Sequence, residues 1–281
     1  MTQILRTRAE LRAALADAPR PVGLVPTMGW LHDGHRSLIQ RARADDSTVV
    51  ATIFVNPRQF NQPDDFTKYP RNEGRDLAIC ADEGVDLVWA PPVEEVYVPG
   101  FDTTVSVGAV ARPLEGRARP GHFDGVATVV AILFGLVGAE HAYFGQKDAQ
   151  QVMVIRRMAR DLALPTDVIA CPTVREPDGL ALSSRNVHLG PDERVAAAVL
   201  HRALLAAADR WRAGERSGDA LRAQLEAVLR SEPLANPDYV SVADPLTLVE
   251  LDQVDGAALL SLAVRFGSTR LIDNELLEPP A

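Results

Sequence analysis

Two histidines stand three residues apart in the stretch "LVPTMGWLHDGH", which covers residues 24–35. An apolar run ends at Pro26 and leads into a predicted helix near Gly34, so His32 and His35 project to the same side of that helix start. Unpaired N–H groups and the positive end of the dipole at a helix amino terminus suit phosphate. The spacing therefore predicts phosphate binding, with a metal site or structural caps as the alternatives.

A second polar cluster, "FVNPRQFNQPDDFTKYPR", follows another apolar run at residues 54–71. Pro57 ends the run and turns the chain, which places Asn56 and Gln59 at the end of a predicted strand. Their neutral amides each offer a donor and an acceptor and suit a substrate that carries hydroxyl and carbonyl groups. An ordinary polar loop is the alternative interpretation.

A third cluster, "AYFGQKDAQQ", repeats the pattern of an apolar strand that ends in glycine and opens a helix, at residues 142–151. Gly145 permits close approach of a flat ring or a ribose, and Asp148 can accept from a hydroxyl or cap the helix. Lys147, one of only two lysines among 29 basic residues, can place its ammonium on phosphate. Gln151 lies one helical turn beyond Lys147 and faces the same way.

A fourth cluster, "REPDGLALSSRN", combines turn residues with hydroxyls and a guanidinium at residues 175–186. Ser183 and Ser184 followed by Arg185 predict a movable clamp for an anion. A plain turn would explain the same residues without function.

Short β-branched runs alternate with amphipathic stretches through the first two-thirds of the chain. This alternation predicts a Rossmann-like, doubly wound α/β fold with a mainly parallel sheet, in which ligands bind at the carboxyl ends of the strands. The predicted strands are residues 22–25, 49–55, 87–90, 104–107, 142–144 and 168–170, and the predicted helices are residues 37–44, 74–83, 126–138 and 149–162.

After Gly190 the sequence pattern changes. It predicts two long helices rich in alanine and leucine, followed by strands near residues 239–243, 259–266 and 269–273. Helices followed by neighbouring strands predict a separate α+β unit. A turn at residues 173–179 marks the hinge. We therefore expect a Rossmann-like domain at residues 1–174 and a smaller C-terminal α+β domain at residues 175–281.

Composition limits the partners of this 281-residue chain. A formal net charge of -9 argues against a nucleic-acid surface, and no apolar run reaches the length of a membrane span. Cys80 and Cys171 stand far apart in apolar surroundings, which predicts buried packing thiols. The first 19 residues show helical spacing without a signal-peptide core, so we expect a cytoplasmic protein with small-molecule substrates.

The four clusters together resemble a known family. Neither G-x-x-x-x-G-K-[ST] nor G-x-G-x-x-G occurs in the chain, whereas residues 32–35 match the His-x-Gly-His signature of the nucleotidyltransferase superfamily. The stretches "PTMGWLHDGH", "FVNPRQF", "YPR", "RPGHFDGVATVV", "FGQKDAQQ" and "TVREPDGLALSSRN" resemble the pantothenate synthetase (pantoate-β-alanine ligase) family over about residues 24–189. Gln146 and Ala149 depart from residues frequent in that family, and neither change removes a group assigned to chemistry.

The resemblance implies an enzyme that joins (R)-pantoate to β-alanine with ATP and Mg²⁺, through pantoyl adenylate, and releases AMP and pyrophosphate. It also implies a homodimer. The implied proton donor is His35, with His32 and Lys147 acting on the phosphates. Gln59 and Gln151 would hold pantoate, Gln59 would also lie near β-alanine, and Asp76 is the candidate magnesium contact. The implied ATP-binding residues are Met28, Gly29, His32, His35, Gly145, Gln146, Lys147, Asp148, Val174, Leu182, Ser183, Ser184 and Arg185.

Two rival functions stay open at this point. Another adenylyl-transferring enzyme of the superfamily would keep AMP on its product, whereas the family that the chain resembles releases free AMP and an amide. A nucleotide-binding regulator without turnover would release no pyrophosphate when mixed with ATP, magnesium and pantoate.

Overall fold

The structure is a computed structural model that describes residues 2–60 and 63–279. The chain divides into two compact units. The N-terminal unit is Met1–Gln146 with Gln150–Pro172, and the C-terminal unit is Lys147–Ala149 with Thr173–Ala281. A short segment around Lys147 therefore packs with the C-terminal unit although both neighbours in sequence belong to the other one.

Strands and helices alternate up to residue 172. The strands are β1 (Gln3–Leu5), β2 (Val22–Thr27), β3 (Thr48–Ile53), β4 (Leu87–Trp89), β5 (His141–Gly145) and β6 (Asp167–Cys171). The helices are α1 (Arg8–Ala16), α2 (Asp33–Asp45), α3 (Pro63–Lys68), α4 (Glu73–Asp82), α5 (Val93–Val96), α6 (Glu115–Ala118), α7 (His122–Val137) and α8 (Ala149–Asp161). Single 3₁₀ turns occur at Pro57–Gln59, Ala109–Ala111 and Gln146–Asp148.

The six strands form one parallel sheet in the order β1-β4-β3-β2-β5-β6. From β2 the chain moves outward through β3 and β4, and then returns to place β5 on the other side of β2. In open α/β sheets, ligands bind at the carboxyl ends of the strands where the direction of winding reverses. The predicted doubly wound fold is confirmed, and the reversal lies between β2 and β5.

Helices cover both faces of this sheet because side chains alternate along each strand. Leu24 and Phe144 lie in a core with side chains of α1, α7 and α8. Val25 and Tyr143 lie in a second core with side chains of α2 and α4. The sheet is therefore fixed on both sides, and the ends of its strands are left to carry function.

Helix α7 is strongly apolar, and eleven of its residues are buried. It contributes Val126, Val130 and Leu133 to the first core. Among the residues that the structure describes, no helix is both long and apolar enough to cross a membrane.

The C-terminal unit packs three helices against an antiparallel sheet. The helices are α9 (Pro191–Ala196), α10 (Val199–Arg212) and α11 (Gly218–Arg230), and a 3₁₀ turn precedes them at Ser184–His188. The strands β7 (Asn236–Ala243), β8 (Ala258–Phe266) and β9 (Thr269–Leu277) pair in that order. Trp211, Leu225 and Phe266 lie in its core, and the predicted α+β architecture is confirmed.

Three details of the predicted elements are wrong. Residues 104–107 form no strand, since the Val105 N–H donates to the Thr128 hydroxyl at 2.9 Å and not to a neighbouring strand. Strand β1 is absent from the predicted elements, because three residues are too few to show a period. The first long C-terminal helix is two helices, α9 and α10, with a break after Ala196.

The predicted buried thiols are confirmed, since Cys80 and Cys171 are both free and buried. Burial raises the pKa of the Cys80 thiol to about 12. A thiol in that environment stays protonated and packs as a small apolar group.

A buried carboxylate packs against the start of the central strand. Asp46 accepts a hydrogen bond from the Tyr143 hydroxyl at 2.6 Å and contacts His141 Nδ1 at 2.7 Å. A Cβ added at Gly23 would lie 2.2 Å from Asp46 Oδ2. Glycine is therefore required at this position of β2, for lack of space.

We expect Gly23→Ala to lower the free energy of unfolding by about 1–3 kcal/mol, because the added methyl overlaps the Asp46 carboxylate. The matched control is Gly135→Ala in helix α7, where an added Cβ meets nothing within 4 Å. There alanine should stabilise by about 0.5–1 kcal/mol. Urea denaturation of both variants measures the difference, and equal stabilities would show that the packing at Gly23 is not tight.

Candidate active site

The turn after β2 is held in an uncommon backbone conformation by a buried carboxylate. Gly29 and Trp30 both have positive φ angles, of 80° and 51°, and positive φ is costly for a side chain as bulky as tryptophan. The two oxygens of Asp76 accept hydrogen bonds from the Trp30 and Leu31 amides, each at 2.8 Å. Asp76 is 1% exposed, so it acts as an internal anchor for the turn.

Both histidines of this turn cap helix α2. His32 is the N-cap residue, and its Nδ1 accepts from the Gly34 amide at 3.1 Å. His35 Nδ1 accepts from the His32 amide at 3.3 Å, and the two ring centroids are 4.1 Å apart. A neutral histidine that accepts at Nδ1 carries its proton on Nε2 and can donate there. Capping and phosphate binding, which the sequence presented as alternatives, are thus compatible.

Gln59 lies against the same turn. It ends the 3₁₀ turn Pro57–Gln59, for which Asn56 is the N-cap residue. Its Nε2 lies 2.9 Å from the sulfur of Met28. The structure therefore brings together a residue expected to contact pantoate and one expected to contact ATP.

Gln59 is supported by Tyr97, Arg119 and His122, which are not among the predicted site residues. Asn56, whose amide is predicted to suit a substrate, instead has both ends of that amide bonded within the protein. The Gln59 carbonyl accepts from His122 Nδ1 at 2.8 Å and from Arg119 Nη2 at 3.2 Å. Its side-chain oxygen accepts from Asn56 Nδ2 at 2.9 Å, and the Tyr97 hydroxyl donates to Asn56 Oδ1 at 2.6 Å. The stretch "RPGHFDG" carries a signal for Arg119 and His122, whereas an isolated tyrosine gives none.

Two neighbouring glutamines, Gln150 and Gln151, follow strand β5 and differ in how deeply they are buried. Gly145 ends β5, which is hydrogen-bonded to β2 in the sheet. Gln150 is buried, and its amide donates to the carbonyls of Val110 and Pro113 at 3.0 and 2.8 Å. Gln151 is only partly buried, so it is the glutamine of this pair that suits a substrate contact.

Lys147 belongs to the C-terminal unit. Its side chain is 14% exposed, and its Nζ lies 3.3 Å from Asp148 Oδ1. Its carbonyl accepts from Asn274 Nδ2 on β9 at 2.8 Å. The backbone position of the lysine is therefore fixed by strand β9, a link that sequence spacing does not indicate.

The loop at residues 173–186 is also anchored on β9. Arg175 forms two hydrogen bonds with the Asp273 carboxylate, at 2.6 and 3.0 Å. The Leu182 amide donates to the Val174 carbonyl at 2.9 Å, which joins the two arms of the predicted turn. Two residues expected to contact ATP, Val174 and Leu182, are thus adjacent.

The hydroxyl cluster follows that turn directly. The Ser183 hydroxyl caps the 3₁₀ turn Ser184–His188 by accepting from the Arg185 amide at 3.2 Å, and Arg185 is exposed. A small cavity within the C-terminal unit is lined by Lys147, Ser183, Asn186 and Asp273, among others. Lys147 and Ser183, both expected to contact phosphate, therefore share one cavity.

Asp76, the predicted magnesium contact, already has two backbone partners. Each oxygen of Asp76 accepts one backbone hydrogen bond, so a metal ion would have to share these oxygens with the Trp30 and Leu31 amides. Within residues 2–60 and 63–279, no group of three or more His, Cys, Asp or Glu side chains could hold a metal ion. The magnesium contact at Asp76 stays a prediction that competes with this anchoring role.

Fold and site together define an α/β protein whose histidine-bearing turn lies at the ligand-binding edge of a parallel sheet. The family model described as pantoate-beta-alanine ligase matches residues 3–276. The pantothenate synthetase of Roseiflexus castenholzii is 61% identical over 276 residues, covering 98% of this chain and 99% of the relative. The chain belongs to the pantoate-β-alanine ligase family, and its members are ligases.

Solved structures agree with this assignment. A pantothenate synthetase from Thermus thermophilus is 50% identical, with a TM-score of 0.95 over 99% of this chain and 100% of that one. The pantoate-β-alanine ligase of Francisella tularensis, complexed with β-γ ATP and β-alanine, is 32% identical. Its TM-score is 0.81 over 100% of this chain and 99% of that one.

The two interpretations of Asp76 predict different results for Asp76→Asn. As an anchor, the variant loses one charge-assisted hydrogen bond and faces an NH₂ group toward a backbone N–H. We expect about 1.5–3 kcal/mol less stability and slower turnover, with the magnesium concentration for half-maximal rate unchanged. A magnesium titration of the variant measures this, and a large rise in that concentration would instead identify Asp76 as a metal contact.

Proposed function

We propose that this chain condenses (R)-pantoate with β-alanine and cleaves ATP to AMP and pyrophosphate, through a pantoyl-adenylate intermediate. The observation that carries the proposal is the capping geometry of His32 and His35, whose Nδ1 atoms face the backbone so that Nε2 can donate to phosphate. Gln59 lies against Met28 of the same turn and supplies an amide for a hydroxy acid.

The reaction consists of two nucleophilic displacements. A carboxylate oxygen of pantoate forms a bond to the α-phosphorus of ATP, and the bond from that phosphorus to the pyrophosphate oxygen breaks. The amine of β-alanine then bonds to the acyl carbon, AMP leaves with the former carboxylate oxygen, and the amine gives up a proton. Because both nucleophiles belong to substrates, the protein acts by positioning and electrostatic stabilisation.

The N-terminal unit supplies the groups proposed for pantoate and for part of ATP. His35, the implied proton donor, would donate a hydrogen bond from Nε2 as a neutral imidazole, the form that its Nδ1 contact with the His32 amide favours. His32 would donate to the phosphates beside it. Gln59 and Gln151 would hold pantoate, with Gln59 also near β-alanine, while Met28 and Gly29 would contact ATP.

The remaining proposed ATP contacts lie at the end of β5, directly after it, or in the loop at residues 173–186. Adenylyl transfer spreads negative charge over the α-phosphate and the departing pyrophosphate, so cationic and hydroxyl groups lower its barrier. Lys147 would supply the ammonium, and its place beside Ser183 in one cavity supports this role. The other proposed contacts are Gly145, Gln146 and Asp148 for the nucleoside and phosphates, Val174 for adenine, and Leu182, Ser183, Ser184 and Arg185 for the outer phosphates.

Magnesium is proposed to arrive as part of the MgATP substrate. This ion usually keeps several waters and binds through phosphates with one or two carboxylates, so it needs no dedicated protein cage. The Francisella tularensis relative was solved with β-γ ATP and β-alanine, which supports the same two ligands for this chain.

We also propose a homodimer in the cytoplasm, as the resemblance implies, with nucleotide and pantoate bound by residues 1–174 and residues 175–281 serving as a lid domain. Light scattering coupled to gel filtration tests the first point. A mass of two chains is expected, and a mass of one chain would overturn it.

The proposed reaction is tested by its products. ATP, pantoate and β-alanine together should give an amide and free AMP in equal amounts, with neither product when pantoate is omitted. A product that retains AMP would favour another adenylyl-transferring enzyme of the superfamily. Absence of pyrophosphate with ATP, magnesium and pantoate would favour a regulator without turnover.

Lys147→Ala should slow single-turnover formation of pantoyl adenylate by about 10²–10³-fold, because about 3–4 kcal/mol of transition-state stabilisation is lost with a preorganised charge. The matched control is Lys68→Ala, which removes the other lysine of the chain, on helix α3. Rapid-quench measurement of the rate of pantoyl-adenylate formation compares the two variants, and Lys68→Ala should keep the wild-type rate. Near-normal adenylation by Lys147→Ala would remove the lysine from the proposed mechanism.

A further inference from the structure

The side-chain amide of Gln59 has two unlike ends, and only one of them can face a substrate. Oε1 accepts hydrogen bonds and Nε2 donates them. Which end points outward decides whether the site binds an acceptor, such as a carboxylate, or a donor. Neighbouring groups determine this choice, so it can be worked out from them.

The orientation of Asn56 is fixed by two backbone groups. The Arg58 amide, which can only donate, lies 3.2 Å from one end of the Asn56 side chain, so that end is Oδ1. The Gly125 carbonyl, which can only accept, lies 3.1 Å from the other end, so that end is Nδ2. Asn56 is 1% exposed, and reversal would leave buried groups unpaired.

Asn56 in turn fixes Gln59. The atom of Gln59 that lies 2.9 Å from Asn56 Nδ2 has to be an acceptor, so it is Oε1. Nε2 is therefore the end on the other side, beside the sulfur of Met28 at 2.9 Å. A thioether is a weak acceptor, so this donor can be given up to an oxygen of a substrate.

Tyr97 completes the chain of hydrogen bonds. Its hydroxyl donates to Asn56 Oδ1 at 2.6 Å, and its ring packs against Phe54, Phe101 and the guanidinium of Arg58. Burial raises the pKa of Tyr97 to about 12, which keeps the hydroxyl protonated as a donor. Tyr97 therefore reinforces the one orientation of Asn56 that its backbone neighbours allow.

We propose that Tyr97, acting through Asn56, is a positioning residue that holds Gln59 with Nε2 outward, so that Gln59 donates to an oxygen of the hydroxy-acid substrate. This inference rests on the proposed function, in which Gln59 contacts pantoate. It adds the direction of that hydrogen bond and a residue that does not itself touch the substrate.

The first test compares Tyr97→Phe with Tyr143→Phe. Each variant removes one hydrogen-bonded tyrosine hydroxyl from the N-terminal unit, but the Tyr143 hydroxyl donates to Asp46 and not to Asn56. We expect Tyr97→Phe to raise the KM for pantoate about three- to tenfold, the loss of one neutral hydrogen bond, with the KM for ATP within about twofold. Tyr143→Phe should leave the KM for pantoate unchanged.

A double-mutant cycle separates positioning from general destabilisation. In a Gln59→Ala background, Tyr97→Phe should have no further effect on the dissociation constant of pantoate, measured by calorimetry with a non-hydrolysable ATP analogue. Persistence of the full effect without Gln59 would overturn the inference. So would an effect of Tyr97→Phe no larger than that of Tyr143→Phe.

Asn56→Asp provides a second variant should Tyr97→Phe fail to fold. An aspartate at position 56 cannot donate to Gln59, so Gln59 should turn its Nε2 inward and present Oε1 to pantoate. We expect a loss of pantoate affinity larger than that of Gln59→Ala, and a smaller loss would contradict a fixed donor. Failure of the wild-type protein to bind pantoate at all would instead overturn the proposed function.

Discussion

The buried carboxylate of Asp76 is the interaction on which the arrangement of the site depends. It satisfies two amides of a turn whose residues Gly29 and Trp30 have positive φ angles, a conformation that costs free energy unless the surroundings hold it. A Cβ at position 29 would lie 2.9 Å from Asp76 Oδ2, so glycine there is required both for its backbone angle and for space. Once this turn is held, His32 and His35 necessarily fall at the start of α2.

The sheet topology then determines which strand end lies next to the turn at Gly29. The reversal of winding brings β5 beside β2, so Gly145 and the turn at Gly29 end neighbouring strands although they are far apart in sequence. Lys147, just after β5, has a separate backbone support. It obtains that support from Asn274 on β9.

Sequence patterns predict the elements that are determined by residues adjacent in the chain. Strands β2, β3 and β5 and the clusters that follow them are predictable because a hydrophobic run, a breaking residue and polar groups are adjacent in sequence. The strand predicted at residues 104–107 is wrong because the side chain of a distant residue takes up a backbone donor there. Tyr97 escapes prediction because its partner Asn56 lies 41 residues away. The anchoring role of Asp76 is likewise invisible in sequence, because its partners are backbone amides.

The central claim is that these residues position a hydroxy-acid carboxylate to attack the α-phosphorus of ATP, with no nucleophile from the protein. The most direct measurement uses pantoate labelled with ¹⁸O in both carboxylate oxygens, followed by mass spectrometry of the products. We expect one ¹⁸O in AMP and one in the amide, because the carboxylate oxygen that bonds to phosphorus leaves with AMP. Unlabelled AMP beside an amide product would contradict the adenylate mechanism.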